Sequence, residues 1–380
     1  MKIKDAFLIF GQRLKEAREL RGLNQAELAE RLQVSRQIVS DYESGKKKPS
    51  GQTLFSLTRE LDLPWAFFMT ERKTPERVSP FSFRKKSSTT KREQLQAKQQ
   101  ERLLVDIVKY LEGFLDLPKA NVLMFEGDDY QDLDIQTIES LAQALRKHWN
   151  LGNGPISNMV RLMETNGIIV SKVSIADRID AFSCWIEERP IAILSQEKQA
   201  AVRQRFDAAH ELGHIVMHRY IPEKYFQDKT TLKVLEDQAQ YFGSAFLLPA
   251  DTFPKEVLVP SVQGFTMLKS RWKTSIQAMI MRCHALRLIS DNQKKYLFQQ
   301  MAKFRKFEPL DDQLPQEEPQ LIAKAFEVLL DAGLIGSMQD VQEALCLSAG
   351  LIQEIGGLPS SLFQRESEQP LAFRLKSPSE

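Results

Sequence analysis

The most informative stretch of the chain is Arg205-Phe206-Asp207-Ala208-Ala209-His210-Glu211-Leu212-Gly213-His214-Ile215-Val216-Met217-His218, which contains H-E-x-x-H. On a helix, residues four apart stack on one face about one turn apart. The imidazoles of His210 and His214 can therefore reach a single ion. Glu211 lies beside them, rotated so that it can take a proton from a water that such an ion acidifies. Apolar neighbours (Ala208, Ala209, Leu212, Ile215, Val216, Met217) favour a buried, ordered site. A catalytic site of this kind needs a third protein ligand and one open position. His218 stands about 12 Å of helix rise beyond His210, so one ion cannot span all three histidines. A carboxylate from a later helix suits better. Leu235-Glu236-Asp237-Gln238-Ala239-Gln240-Tyr241-Phe242 reads as a helix that runs on to Leu247-Leu248-Pro249. Glu236 heads it, with Asp237 as the local rival.

Upstream the pattern changes to strands. Ile168 to Val173 is a β-branched run, and Ala181–Ile186 and Pro190–Leu194 flank Glu187-Glu188-Arg189 as a hairpin. A hairpin strand beside the metal helix offers an edge on which an extended peptide can add. Tyr220, Tyr225 and Tyr241 are weaker candidates as donors to a developing oxyanion. Trp185 and Trp272 read as core. Downstream, helical periodicity persists between breaks at Pro249, Pro260, Pro309 and Pro315. Residues 318–360 form a small helical unit whose exposed positions are neutral or acidic, which suits packing or dimerisation better than contact with DNA.

The 380 residues suggest two or three domains. No run of about 18 apolar residues is present, so a membrane span is not expected. The three cysteines are odd in number and far apart, and the start of the chain lacks a secretory pattern; both fit a reducing cytoplasm. Residues 1–102 hold 22 basic and 13 acidic residues although the whole chain is only +2, so a basic front end sits on an acidic body. That asymmetry points to a polyanionic partner at the front.

The front end carries its own motif. Gln25 to Ser44 reads as two short helices around a tight turn at Gln33-Val34. Leu28, Ala29 and Leu32 face Val34, Ile38, Val39 and Tyr42. Ser35 is placed to cap the second helix and, at its start, is also a candidate DNA contact. Arg36, Gln37 and Ser40 project from that helix's exposed half, with side chains suited to base edges in the major groove. Gln25 and Lys46-Lys47-Lys48 are better placed for phosphates.

Residues 9–69 resemble the XRE/Cro-repressor family of DNA-binding domains. The resemblance rests on Leu14, Arg18, Gln25, Leu28, Ala29, Val34, Ser35, Ile38, Tyr42, Glu43, Gly45 and Pro49. Gln33 departs from it, since the family usually has Gly in that turn. Residues 137–300 resemble the ImmA/IrrE family of zincin-like metallopeptidases. Here the carriers are Arg205-Phe206, Ala209 to His214 with His218, and Glu236, Ala239, Phe242 and Leu247-Leu248-Pro249. Gln240 and Gly243 depart from the usual residues. This resemblance implies His210, His214 and Glu236 as metal ligands and Glu211 as general base. It also implies action, direct or indirect, on an XRE-type repressor.

The expected fold is multidomain and mainly α. A helix-turn-helix domain spans 1–71 and a basic polar linker 72–102. An α+β zincin-like domain with a small sheet spans 103–300, and a helical extension with a polar tail spans 301–380. The expected function is a cytoplasmic, DNA-binding transcriptional regulator. It would act as a homodimer on operator DNA, with a Zn2+- or Mn2+-dependent peptidase that cuts a repressor-type protein or its own chain. The alternative is a regulator whose zincin-like domain senses a metal or ligand without cutting. Glu211 favours the first, because a sensor has no use for a base beside its histidines.

Overall fold

The computed structural model describes residues 3–72, 82–85, 90–126, 130, 132–175, 179–197, 200–304 and 307–365, without side chains at 3–9 and 82–85. The architecture is mainly α with one small sheet.

The first five helices are α1 (Ile3–Leu20), α2 (Gln25–Arg31), α3 (Arg36–Glu43), α4 (Gly51–Leu61) and α5 (Trp65–Met69). Helix α2 starts at a capping box, in which the Asn24 side chain accepts from the Ala26 and Glu27 amides and Glu27 accepts from the Asn24 amide. Helix α3 starts at Ser35, whose hydroxyl accepts from the Ile38 amide. Between them Gln33 has φ +55°, the left-handed turn that the family's Gly supplies without strain. Leu14, Ala17, Leu28, Ala29, Val39 and Tyr42 close the core. Arg18 grips both oxygens of Glu43, at 2.5 and 3.2 Å, and ties α1 to α3.

The basic polar linker does not run to residue 102. Thr90, in a capping box with Glu93, opens a 22-residue helix, α6 (Lys91–Glu112). Ala97, Leu104, Ile107, Val108 and Leu111 form its buried apolar stripe. The polar letters that suggest an exposed arm are partly buried and paired. Gln99 donates to Glu19 of α1 at 2.9 Å, and Gln100 to the Ser174 carbonyl at 2.9 Å. The basic run 86–89 lies outside the described residues.

The sheet has the order β1-β3-β4-β2, from β1 (Ser82–Lys85), β2 (Ile169–Val173), β3 (Ile179–Ile186) and β4 (Arg189–Ser195). Strands β3 and β4 are the expected hairpin, turning at Glu187-Glu188. Strand β2 runs parallel to β4, and β1 lies antiparallel on the outer edge of β3 with Ser82 opposite Ser183.

Helices α7 (Ile135–His148) and α8 (Met159–Thr165) precede β2. After β4 come α9 (Ala201–Met217), α10 (Glu223–Gln227), α11 (Lys229–Leu247) and α12 (Phe253–Glu256), then α13 (Val262–Trp272), α14 (Ile276–Ala285) and α15 (Asp291–Met301). Helix α9 lies across β3 and β4, and α11 packs along α9. Trp185 and Trp272 are buried in this layer as expected.

The C-terminal helices α16 (Leu321–Asp331), α17 (Met338–Leu345) and α18 (Ala349–Gly356) pack on α6, and α18 also packs on β2. Phe326, Leu329 and Ile352 share one apolar cluster with Leu14, Leu57 and Leu104. The extension thus packs within the chain, between the front domain and the sheet. Among the described residues no helix is long and apolar enough to cross a membrane.

Candidate metal centre

Helix α9 is buried along nearly its whole length, which is why its sequence is apolar on both sides of the motif. Two glycines let α11 approach it. A Cβ on Gly213 would stand 3.2 Å from the Ala239 Cα, and one on Gly243 would stand 3.1 Å from the His210 nitrogen. The departure at Gly243 is therefore a contact point between the two helices, directly against the first histidine.

This approach carries Glu236 onto the histidines. His210 Nε2 and His214 Nε2 are 3.1 Å apart, and Glu236 lies 3.3 Å from the first and 3.5 Å from the second. A tetrahedral zinc with bonds of about 2.0 Å to nitrogen and oxygen separates neighbouring donors by about 3.3 Å. Two imidazoles and one carboxylate at this spacing fit a divalent ion, with one position left for water or substrate. Burial alone would push the Glu236 carboxyl up, but the imidazoles of His210 and His214 beside it outweigh burial and hold the group well below the usual carboxylate range. It is ionised, as a ligand must be. Asp237, the rival, points away and pairs with Lys233 at 3.4 Å.

Glu211 is fully buried. The Ser183 hydroxyl on β3 donates to its Oε2 at 2.6 Å. Nothing in the sequence marks Ser183, because its partner is 28 residues away on another element. His218 is no ligand, as helix rise requires. It lies instead behind His214, with the two Nδ1 atoms 2.8 Å apart and its Nε2 3.0 Å from Gln238 Oε1. Burial, with the adjacent His214, pushes the His218 imidazole down to about 3, so it is neutral.

A groove of about 450 Å³ lies between α9, α11 and α14, and none of His210, Glu211, His214 and Glu236 lines it. Asp207, one turn before His210, and Gln240, one turn after Glu236, line it, followed by Tyr241, Ser244, Ala278 and Met281. Tyr241 is committed elsewhere: its hydroxyl donates to Glu139 at 2.8 Å. Tyr225 stacks on Tyr130, and Tyr220 is exposed beside Met124.

In the front domain Arg36, Gln37, Lys46 and Lys47 are exposed and Ser40 is half-buried. Gln37 donates to Asp41 at 2.9 Å, and Lys47 lies 3.2 Å from the same carboxylate. Gln25 is held inside the scaffold, donating to Glu43 at 2.8 Å. Its expected phosphate contact competes with that bond. Ser35 spends its hydroxyl on the cap of α3.

Residues 14–68 match the family model described as "Helix-turn-helix", and residues 163–284 match the one described as "IrrE N-terminal-like domain". Over these two segments an XRE-type helix-turn-helix domain and an ImmA/IrrE-type domain are joined in one chain. The IrrE-like match spans β2, β3, β4, α9 and α11, and with them every candidate ligand, Glu211 and Ser183. A search of curated proteins finds no match. Among solved structures, Bacillus thuringiensis PlcR in complex with the peptide PapR7 and DNA is 12% identical. The alignment covers 89% of this chain and 99% of that one with a TM-score of 0.17, too low to transfer anything.

Proposed function

We propose that this DNA-binding regulator is also a metal-dependent endopeptidase, which hydrolyses a peptide bond in a repressor-type protein or in its own chain and so relieves repression. The observation that carries this reading is the convergence of His210, His214 and Glu236 with Glu211 held by Ser183. A bound divalent ion, zinc or manganese, supplies Lewis-acid chemistry, acidifying water and polarising a carbonyl oxygen.

The chain's own residues do the rest. His210, His214 and Glu236 hold the ion. Glu211 takes the proton of the attacking water and delivers it to the departing amide nitrogen, so one water is consumed and a carboxylate and an amine are formed. The Ser183 hydroxyl keeps one Glu211 oxygen in place. The outer edge of β3, expected to take an extended peptide, is paired with β1 and the inner one with β4, so a substrate strand reaches this ladder only in the place of β1. Cleavage in cis draws support from β1, which comes from the segment joining the two domains and lies on that edge opposite Ser183.

In this reading the front domain binds operator DNA as a homodimer, with Arg36, Gln37 and Ser40 toward base edges and Lys46 and Lys47 toward phosphates. The test incubates the purified chain with zinc or manganese and with the repressor-like protein encoded nearest its gene. Glu211→Gln runs in parallel, since it keeps the ligands and loses the base. New fragments from the native chain alone establish the peptidase. Loss of the intact 43.6 kDa species identifies the cis reaction. Metal uptake and DNA binding with no cleavage of either protein would favour a metal-sensing regulator.

A further inference from the structure

His218 takes no part in the chemistry above, yet it is as buried as the metal ligands. Both its ring nitrogens are engaged. Nε2 meets Gln238 Oε1 at 3.0 Å, and a carbonyl oxygen only accepts, so the His218 proton sits on Nε2. A neutral imidazole has one such proton, which leaves Nδ1 as a lone pair. That lone pair faces His214 Nδ1 at 2.8 Å, so the proton between them belongs to His214. With Nδ1 protonated, His214 keeps its lone pair on Nε2. This is the atom that converges with His210 Nε2 and Glu236.

We infer that His218, oriented by Gln238, is a positioning residue that locks His214 in the Nδ1–H tautomer and so presents Nε2 to a divalent ion. The hydrogen bonds run in one direction, from His214 to His218 to Gln238. They end on α11, the helix that also supplies Glu236. One helix thus delivers a ligand and anchors the relay that prepares another. The usual device for a ligating histidine is a carboxylate or carbonyl that accepts from its far nitrogen. Here a second histidine plays that part and adds no charge to the site. The inference rests on the metal-centre reading of His210, His214 and Glu236.

The experiment compares the native chain with His218→Met and His218→Gln. Met is apolar and flexible and accepts no strong hydrogen bond. Gln is polar, and its carbonyl oxygen can accept from His214 while its amide donates to Gln238. Zinc affinity is read by competition with a chromophoric chelator. The tautomer is read on the zinc-free chains from the imidazole 15N shifts of His214. The expected result is 10- to 100-fold weaker zinc binding in His218→Met, within about threefold of native in His218→Gln. His214 should be protonated on Nδ1 in the native and Gln chains, and mixed in the Met chain. A merely structural role would lower both affinities with thermal stability and leave the tautomer unmoved. Equal zinc affinity in native and Met chains, or a native His214 protonated on Nε2, overturns the relay. A native chain that binds no zinc overturns the metal reading itself, and the role of His218 with it.

Discussion

Ser183 on β3 and Glu211 on α9, both buried, are joined by a hydrogen bond of 2.6 Å from hydroxyl to carboxylate. A hydrogen bond to a buried charge contributes about 1.5–3 kcal/mol. It fixes one oxygen of the only acid in the H-E-x-x-H turn. Ser183→Ala is therefore expected to leave zinc stoichiometry intact and lower peptidase turnover about tenfold, with KM little changed. Metal analysis after dialysis, beside steady-state kinetics on the cleaved substrate, checks both halves. Unchanged turnover would show that Glu211 needs no such hold.

The two glycines between α9 and α11 give a second prediction. A methyl at residue 243 would press on the His210 nitrogen and the Ala209 carbonyl group, at 3.1 to 3.3 Å, and these are backbone atoms that cannot step aside. Gly243→Ala gains helix propensity worth about 1 kcal/mol. It also separates the helices by a few tenths of an ångström where Glu236 must reach both histidines. Zinc affinity should fall while helix content stays constant, measured by chelator competition and far-UV circular dichroism. Affinity at the native level would mean that α11 has room to spare.

Much of this site is legible in the sequence, because its main parts are local. His210 and His214 are four residues apart on one helix, and Glu236 heads a second periodic segment. The hairpin and the two helices around Gln33 are local too, and they form where the pattern places them. What the sequence hides is non-local pairing. Ser183 meets Glu211 and Gln238 meets His218 across elements, and no spacing rule connects them. The segment from Lys91 to Arg102 misleads for the same reason. Its Gln99, Gln100 and Arg102 read as solvated, but they are buried against partners on α1 and after β2. Gln25 has the residue type for a phosphate contact, but Glu43, eighteen residues on, holds it.

The front domain separates two kinds of contact. Arg36 stands exposed at the first turn of α3, and Lys46 is exposed just after it. Arg36→Ala should weaken binding to the operator by about 1–3 kcal/mol and relax preference at one base position. Lys46→Ala should weaken binding to all sequences alike and reduce the salt slope by about 0.9. Titrations of operator and scrambled duplexes at several salt concentrations distinguish them. An Arg36→Ala chain that weakens on both duplexes equally would move Arg36 to the phosphates.

Glu101 of α6 is fully buried against β3, where the Cys184 thiol donates to it at 3.4 Å. Burial pushes this carboxyl up from 4.5 to about 8, so the folded chain holds its proton at neutral pH and the unfolded chain does not. Between these two values the native state binds more protons, and the sign follows: stability falls as pH rises. The contribution is fully present below about 4.5 and lost as pH passes through about 8. Glu101→Gln keeps the shape and the acceptor without an ionisable group. It should remove this component of the pH dependence and raise stability at pH 8 by a few kcal/mol. Denaturant melts of both chains from pH 5 to 9 measure the difference. Parallel curves would show that Glu101 meets a counter-charge in the folded chain and stays ionised there. Because Cys184 is next to Ser183 on β3, an unfavourable charge at Glu101 would bear on the strand that holds Glu211. Loss of peptidase turnover in the native chain above pH 8, absent in Glu101→Gln, would reveal that link.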